Sequence, residues 1–185
     1  MVIFEKVSSE NTTVAVKLAL NRAKTIETDI VLSTTTGASA FTAAELAAET
    51  DYKGRIIAIT HAWGTKNPGE NNLSDENRGK LTEAGVILVT AAHTLSGVER
   101  AISGKFGGVY PVEIMAHTLR MFSQGMKVCV EIGAMALDAG AIREPRAVVT
   151  LGGSGRGLDT VCVLTPGYSA KIFETRIHEI LCKPY

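Results

Sequence analysis

The sequence predicts a single α/β domain built on a mostly parallel sheet with helices on both faces. Short runs such as Asp29-Ile30-Val31-Leu32, Arg55 to Thr60 and Val86-Ile87-Leu88-Val89 are apolar almost throughout. Strands apolar on both sides belong to parallel sheets whose two faces are covered. Helix-patterned segments separate these runs, the alternation expected of an α/β fold. The chain has 185 residues, 45% of them hydrophobic, which suits one domain burying roughly 70% of its unfolded surface. No repeat, low-complexity tract or linker divides it, so residues 1–185 are read as one domain.

Thr12 to Glu27 places Val14, Ala15, Leu18, Ala19 and Ile26 largely on one helical face, with Asn11 as the expected N-cap. The first strand follows at Asp29, then a Ser/Thr/Gly loop and an alanine-rich helix from about Ser39 to Glu49. Arg55 to Thr60 is the second strand. A polar loop from His61 to Asn72 leads to a helix capped by Ser74, with Asp75 and Glu76 at the positive end of its dipole. Gly85 stops that helix, and Val86 to Val89 is the third strand.

The second half is less regular. Gly97 to Ser103 is expected as a short helix and Gly104 to Gly108 as a bend. Pro111 opens a helix expected to run to Gln124 and end at Gly125. Val128, Val130 and Ile132 alternate like a strand whereas Ala134 to Ala139 favours helix, and periodicity alone leaves both open. Ala147 to Leu151 is a fourth strand. Thr160 to Leu164 returns as a fifth, antiparallel because a parallel crossover needs a dozen or more residues. Arg176 to Leu181 is a candidate edge strand.

Composition narrows the functions. A formal net charge of zero offers no electrostatic case for nucleic acid or an anionic membrane. The Val128 to Ala141 stretch is too short to span a bilayer, and Met1 to Lys6 lacks a signal peptide's order. A cytoplasmic location is expected. Cys129, Cys162 and Cys182 sit among apolar neighbours and read as buried, reduced thiols.

In parallel α/β sheets, ligands sit outside the carboxyl ends of the strands. There the first strand is followed by Ser33-Thr34-Thr35-Thr36-Gly37-Ala38-Ser39. Hydroxyls and backbone N–H groups at a helix start suit a phosphate, carboxylate or sulfate, though an ordinary capped turn has the same composition. Gly152-Gly153-Ser154-Gly155-Arg156-Gly157 joins two late strands and is no dinucleotide fingerprint. Its glycines, Gly153 among them, permit close approach, Ser154 is a further candidate contact, and Arg156 is either an anion contact or a solvent-exposed hairpin residue. His61 and His93 follow the second and third strands, Thr94 beside the latter, and each imidazole suits hydrogen bonding or proton transfer. No metal is expected at two histidines without a carboxylate at ligand spacing. His117 and His178 read as surface residues, and Trp63 as a packing or ring-stacking group. Glu131 and Asp138 share a helical face and read as acid–base candidates or as partners in ion pairs, Lys127 and Arg143 being the available cations.

The run from the first strand through Ser-Thr-Thr-Thr-Gly and the alanine-rich helix to Ile-Ile-Ala-Ile-Thr resembles the C-terminal domain of pyruvate kinase. The closing Val148-Val149-Thr150-Leu151-Gly152-Gly153 hairpin is similar too. His93 to Arg100 and Lys127 to Ile132 resemble stand-alone proteins built only from this domain, a group of unassigned role. The resemblance covers nearly the full length. It implies a three-layer α/β/α sandwich with a five-stranded sheet of order 3-2-1-4-5, strand five antiparallel, and a helical Lys127 to Ala139. It also implies a phosphate site at Ser33 to Gly37, the loop that holds a sugar bisphosphate effector in many pyruvate kinases, and flavin mononucleotide (FMN) as the ligand. A chain of this length has no room for the catalytic barrel, so pyruvate kinase activity is not expected.

Three classes of function stay open. The chain is a binding or sensor module for FMN or another small phosphorylated ligand; a small flavin-dependent oxidoreductase using His61, His93 or Glu131 for proton transfer; or a subunit whose sheet edge pairs with a partner or a second copy as a homo-oligomer. Because the fourth strand is expected beside the first, Arg156 is expected near the Ser/Thr loop.

Overall fold

In the computed structural model, which describes residues 1–185, all five expected strands are present. They are β2 (Ile30–Ser33), β3 (Ile56–Thr60), β4 (Ile87–Thr90), β5 (Val148–Gly153) and β6 (Leu158–Thr165), with β1 (Val2–Phe4) ahead of them and β7 (Arg176–Pro184) after them. The sheet order is β1-β7-β6-β5-β2-β3-β4, so the central order is the one the resemblance implies. β2 is parallel to β3 and β5, and β5 is antiparallel to β6.

The sheet has seven strands, not five. β7 pairs antiparallel with β6, and the edge beyond it is β1, parallel to β7. Arg176 to Leu181 is therefore an interior strand. Three residues at the N-terminus are too few to show alternation, which is why β1 escapes a pattern-based reading.

Side chains alternate between two cores. Ile30, Leu32, Ile56, Ala58, Val149 and Leu151 face α1 (Asn11–Thr25), α2 (Ala38–Ala48) and α3 (Asp75–Glu83). Val31, Ile57, Ile59 and Val148 face α6 (Gln124–Asp138), on which α5 (Pro111–Arg120) packs, with α4 (Gly97–Phe106) beyond it. α4 buries none of its residues, and Val98, Phe106 and Met121 lie on the surface of this outer layer.

Helix boundaries bring several corrections. Asn11 does not cap α1; its amide donates to the Lys6 carbonyl, while Ser8 Oγ accepts from Glu10 N–H. The buried stripe of α1 is Thr12, Ala15, Val16, Ala19, Leu20 and Ala23, and Val14 is exposed. α4 runs through Gly104, leaving the bend to Gly107 and Gly108. Gly125 does not end α5; it lies in the first turn of α6, capped by Ser123. A Cβ at Gly125 would collide with Thr160, and one at Gly152 with the Gly125 carbonyl. Glycine is required there by the close approach of helix to sheet. Lys127 to Ala139 is helical, as the resemblance implies.

Opposite the strand ends that carry the candidate site, Asp29 joins three strand starts through Arg55 Nη2 at 2.6 Å, the Arg55 backbone N–H at 2.9 Å and the Arg146 guanidinium. Burial raises its pKa, but these donors outweigh burial and hold it below the usual carboxylate range.

Asp159 sits at a β-bulge, where Gly152 pairs with Thr160 and Gly153 with Leu158. It is 1% exposed and accepts from Thr160 Oγ1 at 2.8 Å. Burial pushes its pKa up, Thr160 opposing. A carboxylate whose folded pKa is raised costs stability as pH climbs from its unfolded to its folded value, and the full cost persists above. Asp159→Asn is thus expected to raise the melting temperature at neutral pH, with the gain vanishing in acid. Melting curves over pH check this; an equal or lower midpoint at neutral pH would contradict it.

Candidate functional site

The carboxyl ends of β2, β3, β4 and β5 open into a cavity of about 450 Å³ lined by 24 residues. One wall is the loop after β2. Thr34 is buried; its N–H donates to the Ile59 carbonyl at 2.9 Å, and its Oγ1 accepts from Gly37 N–H at 3.1 Å. Ser39 Oγ donates back to the Ser33 carbonyl at 2.8 Å. This folding turns the chain through Gly37, whose φ of +102° favours glycine. The N–H groups of Thr35, Thr36, Ala38 and Ser39 are left without an acceptor in the chain. Two precede α2 and two begin it, so they lie at the positive end of its dipole.

β5 lies beside β2, Leu151 opposite Leu32, and brings Gly153, Ser154, Gly155 and Gly157 to the same cavity. The expected adjacency of the two loops is therefore present. Of the residues singled out in the sequence, Ser33, Thr34, Thr35, Thr36, Ser39, His61, His93, Gly153 and Ser154 line it. Gly37, Thr94 and Arg156 do not. Gly37 directs its backbone toward Leu73 and Phe41, 3.1 and 3.2 Å from where a Cβ would stand. Arg156 is exposed at the hairpin tip, as in its solvent-exposed reading. Trp63 is 56% exposed and outside the wall.

The cavity also contains three cations, of which the sequence pointed only to Lys127, as an ion-pair partner of Glu131. Arg100 of α4, Arg120 of α5 and Lys127 of α6 line it. Arg120 Nε donates to Gln124 Oε1 at 2.7 Å. Lys127 is buried and its Nζ lies 2.6 Å from Glu131 Oε2. Burial draws the Lys127 pKa down; Glu131 opposes, while Arg120 and Arg100 add to the depression. Only Lys127 left a trace in the sequence, as the residue four before Glu131 on one helix face. Nothing in the sequence says which way Arg100 and Arg120 point, since α4 and α5 are the outermost helices.

Glu131 is 2% exposed. Its Oε1 accepts from Leu95 N–H at 3.0 Å, and its Oε2 lies 3.6 Å from His93 Nδ1, an ion-pairing distance longer than a hydrogen bond. Burial opposes its ionisation, but His93 and Lys127 outweigh burial and leave its pKa below the usual range. Asp138, by contrast, is exposed and accepts from Ser169 N–H. The two carboxylates share a helix but not a site.

His61 Nδ1 lies 3.0 Å from Asn72 Nδ2. As the amide nitrogen only donates, the orientation assigned to Asn72 makes Nδ1 an acceptor and places the proton of the neutral ring on Nε2. Burial lowers the pKa of His61 and nearby His93 lowers it further, against a smaller pull from Glu131. The two rings lie 5.5 Å apart between centroids. Ile59, Val128, Ile132 and Met135 add an apolar surface to this polar enclosure.

No group of three or more His, Cys, Asp and Glu is arranged to hold a metal, and no helix is long and apolar enough to cross a membrane. The three cysteines are free and buried; burial pushes the thiols of Cys162 and Cys182 up to about 12. The family model described as "Pyruvate kinase, alpha/beta domain" matches residues 13–164, a span from within α1 to the end of β6 that contains every residue lining the cavity.

Proposed function

The chain belongs to the pyruvate kinase alpha/beta domain family, and we propose that it binds a small phosphorylated ligand, FMN foremost, with the phosphate on the Ser33–Thr36 loop. The observation that carries this reading is the set of unpaired N–H groups at Thr35, Thr36, Ala38 and Ser39, converging at a helix start. Thr35 and Ser39 are half-buried and Thr36 and Ala38 open to solvent, so an incoming anion can reach all four donors, and a phosphate accepts several at once.

The residues fit FMN in two further respects. The cavity volume falls within the roughly 300–1,000 Å³ of small-molecule sites. Ile59, Val128, Ile132 and Met135 offer apolar contact for a ring, while Arg100 and Arg120 favour an anion, Lys127 being already paired with Glu131. Bound flavin would supply redox chemistry of its own, the protein contributing placement and polarity. A cytoplasmic setting accords with three free cysteines, since reducing compartments keep thiols unpaired.

Calorimetric titration with FMN and with riboflavin tests the reading. FMN is expected to bind and riboflavin to bind far more weakly; equal affinities, or no binding of FMN, would contradict a phosphate-led site. The cations separate in the same assay. Arg120→Ala is expected to weaken FMN binding by about 1.5–3 kcal/mol, the range for a charged hydrogen bond. Arg156→Ala, at an exposed site, is expected to change it by less than about 0.5 kcal/mol. The reverse order would return the anion contact to the hairpin tip.

A further inference from the structure

The phosphate wall leaves the opposite wall of the cavity without a task. His61 follows β3, the neighbour of β2, and His93 lies just beyond β4, the next strand out. Neighbouring strands are about 4.8 Å apart, and both rings line the same cavity as the loop with centroids 5.5 Å from each other, so a small ligand anchored after β2 extends towards His61 first and His93 beyond it.

The two imidazoles are held differently. His61 has its Nδ1 engaged by Asn72 and its carbonyl by Asn71 Nδ2 at 2.8 Å, so its Nε2–H is a fixed, uncharged donor. His93 has the Glu131 carboxylate 3.6 Å from Nδ1, beyond hydrogen-bond length but near enough to favour a proton on that nitrogen, which leaves Nε2 as the base. Glu131 is itself fixed by Leu95 N–H and Lys127. A neutral donor beside a carboxylate-backed base, in a cleft with an anion anchor, is the division of labour that proton abstraction next to a carbonyl requires.

We propose that this wall transfers a proton on small phosphorylated hydroxy-carbonyl compounds, with His93 as base and His61 as the donor to the carbonyl oxygen. The C–H bond next to the carbonyl breaks and its proton forms an N–H bond at His93 Nε2. The C–H electron pair becomes the carbon–carbon double bond of an enolate, and the carbonyl π pair moves onto oxygen, where His61 Nε2–H meets it. Reprotonation by His93 restores the carbonyl form, so no oxidant or co-reactant is consumed. Glu131 is a positioning residue. The proposal rests on the phosphate site described above and not on the flavin, which would compete for the same anchor.

The test uses dihydroxyacetone phosphate in heavy water, with carbon-bound deuterium followed by proton NMR. Wild-type protein is expected to exchange the hydrogens next to the carbonyl above the buffer rate, and inorganic phosphate to inhibit. His93→Ala, at a half-exposed position whose loss opens no core cavity, is expected to lower the rate at least about a hundredfold, general-base catalysis contributing at least that much. Added imidazole is expected to restore part of it, which a merely structural role of His93 would not allow. Dihydroxyacetone phosphate that binds without exchange, or exchange untouched by His93→Ala, would overturn the proposal and leave the binding function standing. Failure of dihydroxyacetone phosphate and inorganic phosphate to bind would remove both.

Discussion

Glu131→Ala is expected to cost about 3–5 kcal/mol of folding stability, the range for breaking a buried ion pair by removing one partner. The cost arises at Lys127. Its ammonium is buried on α6, and Glu131 Oε2 at 2.6 Å is the charge that compensates it. Arg100 and Arg120, which already depress the Lys127 pKa, would be left as its charged neighbours. The Leu95 N–H would lose its acceptor as well, freeing the segment after β4. The pH dependence has a defined sign. The folded pKa of Glu131 is lowered, so its contribution is present above the ordinary carboxylate range and is lost as pH falls through the folded value. In the variant, Lys127 releases its proton more readily, so alkaline solution is expected to recover part of the loss. Urea denaturation at several pH values measures this; a loss under about 1 kcal/mol at neutral pH would show that solvent reaches the pair.

Thr36→Asp is expected to weaken FMN or inorganic phosphate binding by several kcal/mol, a factor of roughly a hundred to a thousand. Thr36 is exposed and lines the cavity beside the free N–H groups, so an aspartate there repels the anion without disturbing the core. Its carboxylate can also accept from those N–H groups and compete for them. Gly37→Asp would be a poor probe. The φ of +102° and the closeness of Leu73, Phe41 and Leu81 mean that any side chain there strains the start of α2. Thr36→Asn is the control, keeping size without charge. Unchanged affinity in Thr36→Asp, with an unchanged melting temperature, would place the anion elsewhere.

The central sheet was legible because its strands are apolar on both faces and its loops end in glycine or hydroxyl residues. The Ser33–Gly37 loop was legible for the same reason: Thr34, Gly37 and Ser39 fold it by local hydrogen bonds that depend on residue type. β1 was not, since three residues acquire their meaning only beside β7. Gly125 misled because a glycine after a helical run ends helices more often than it starts them. Here its role is contact with Thr160, about thirty-five residues away, which no local pattern shows. Arg156 attracted notice because it lies in a glycine-rich loop, and Arg100 and Arg120 escaped it because they lie on helices. The structure brings only the latter two to the cavity. The direction in which a long cation points is a tertiary fact.

The most direct measurement is titration of isotopically labelled protein with FMN, followed through backbone amide proton–nitrogen correlation spectra. If phosphate is held by the loop after β2, the amide signals of Thr35, Thr36, Ala38 and Ser39 are expected to move together and furthest, with one saturation curve. Inorganic phosphate is expected to move the same four, whereas riboflavin is expected to leave them nearly in place. Saturable binding of FMN that leaves these four amides unmoved would contradict the account.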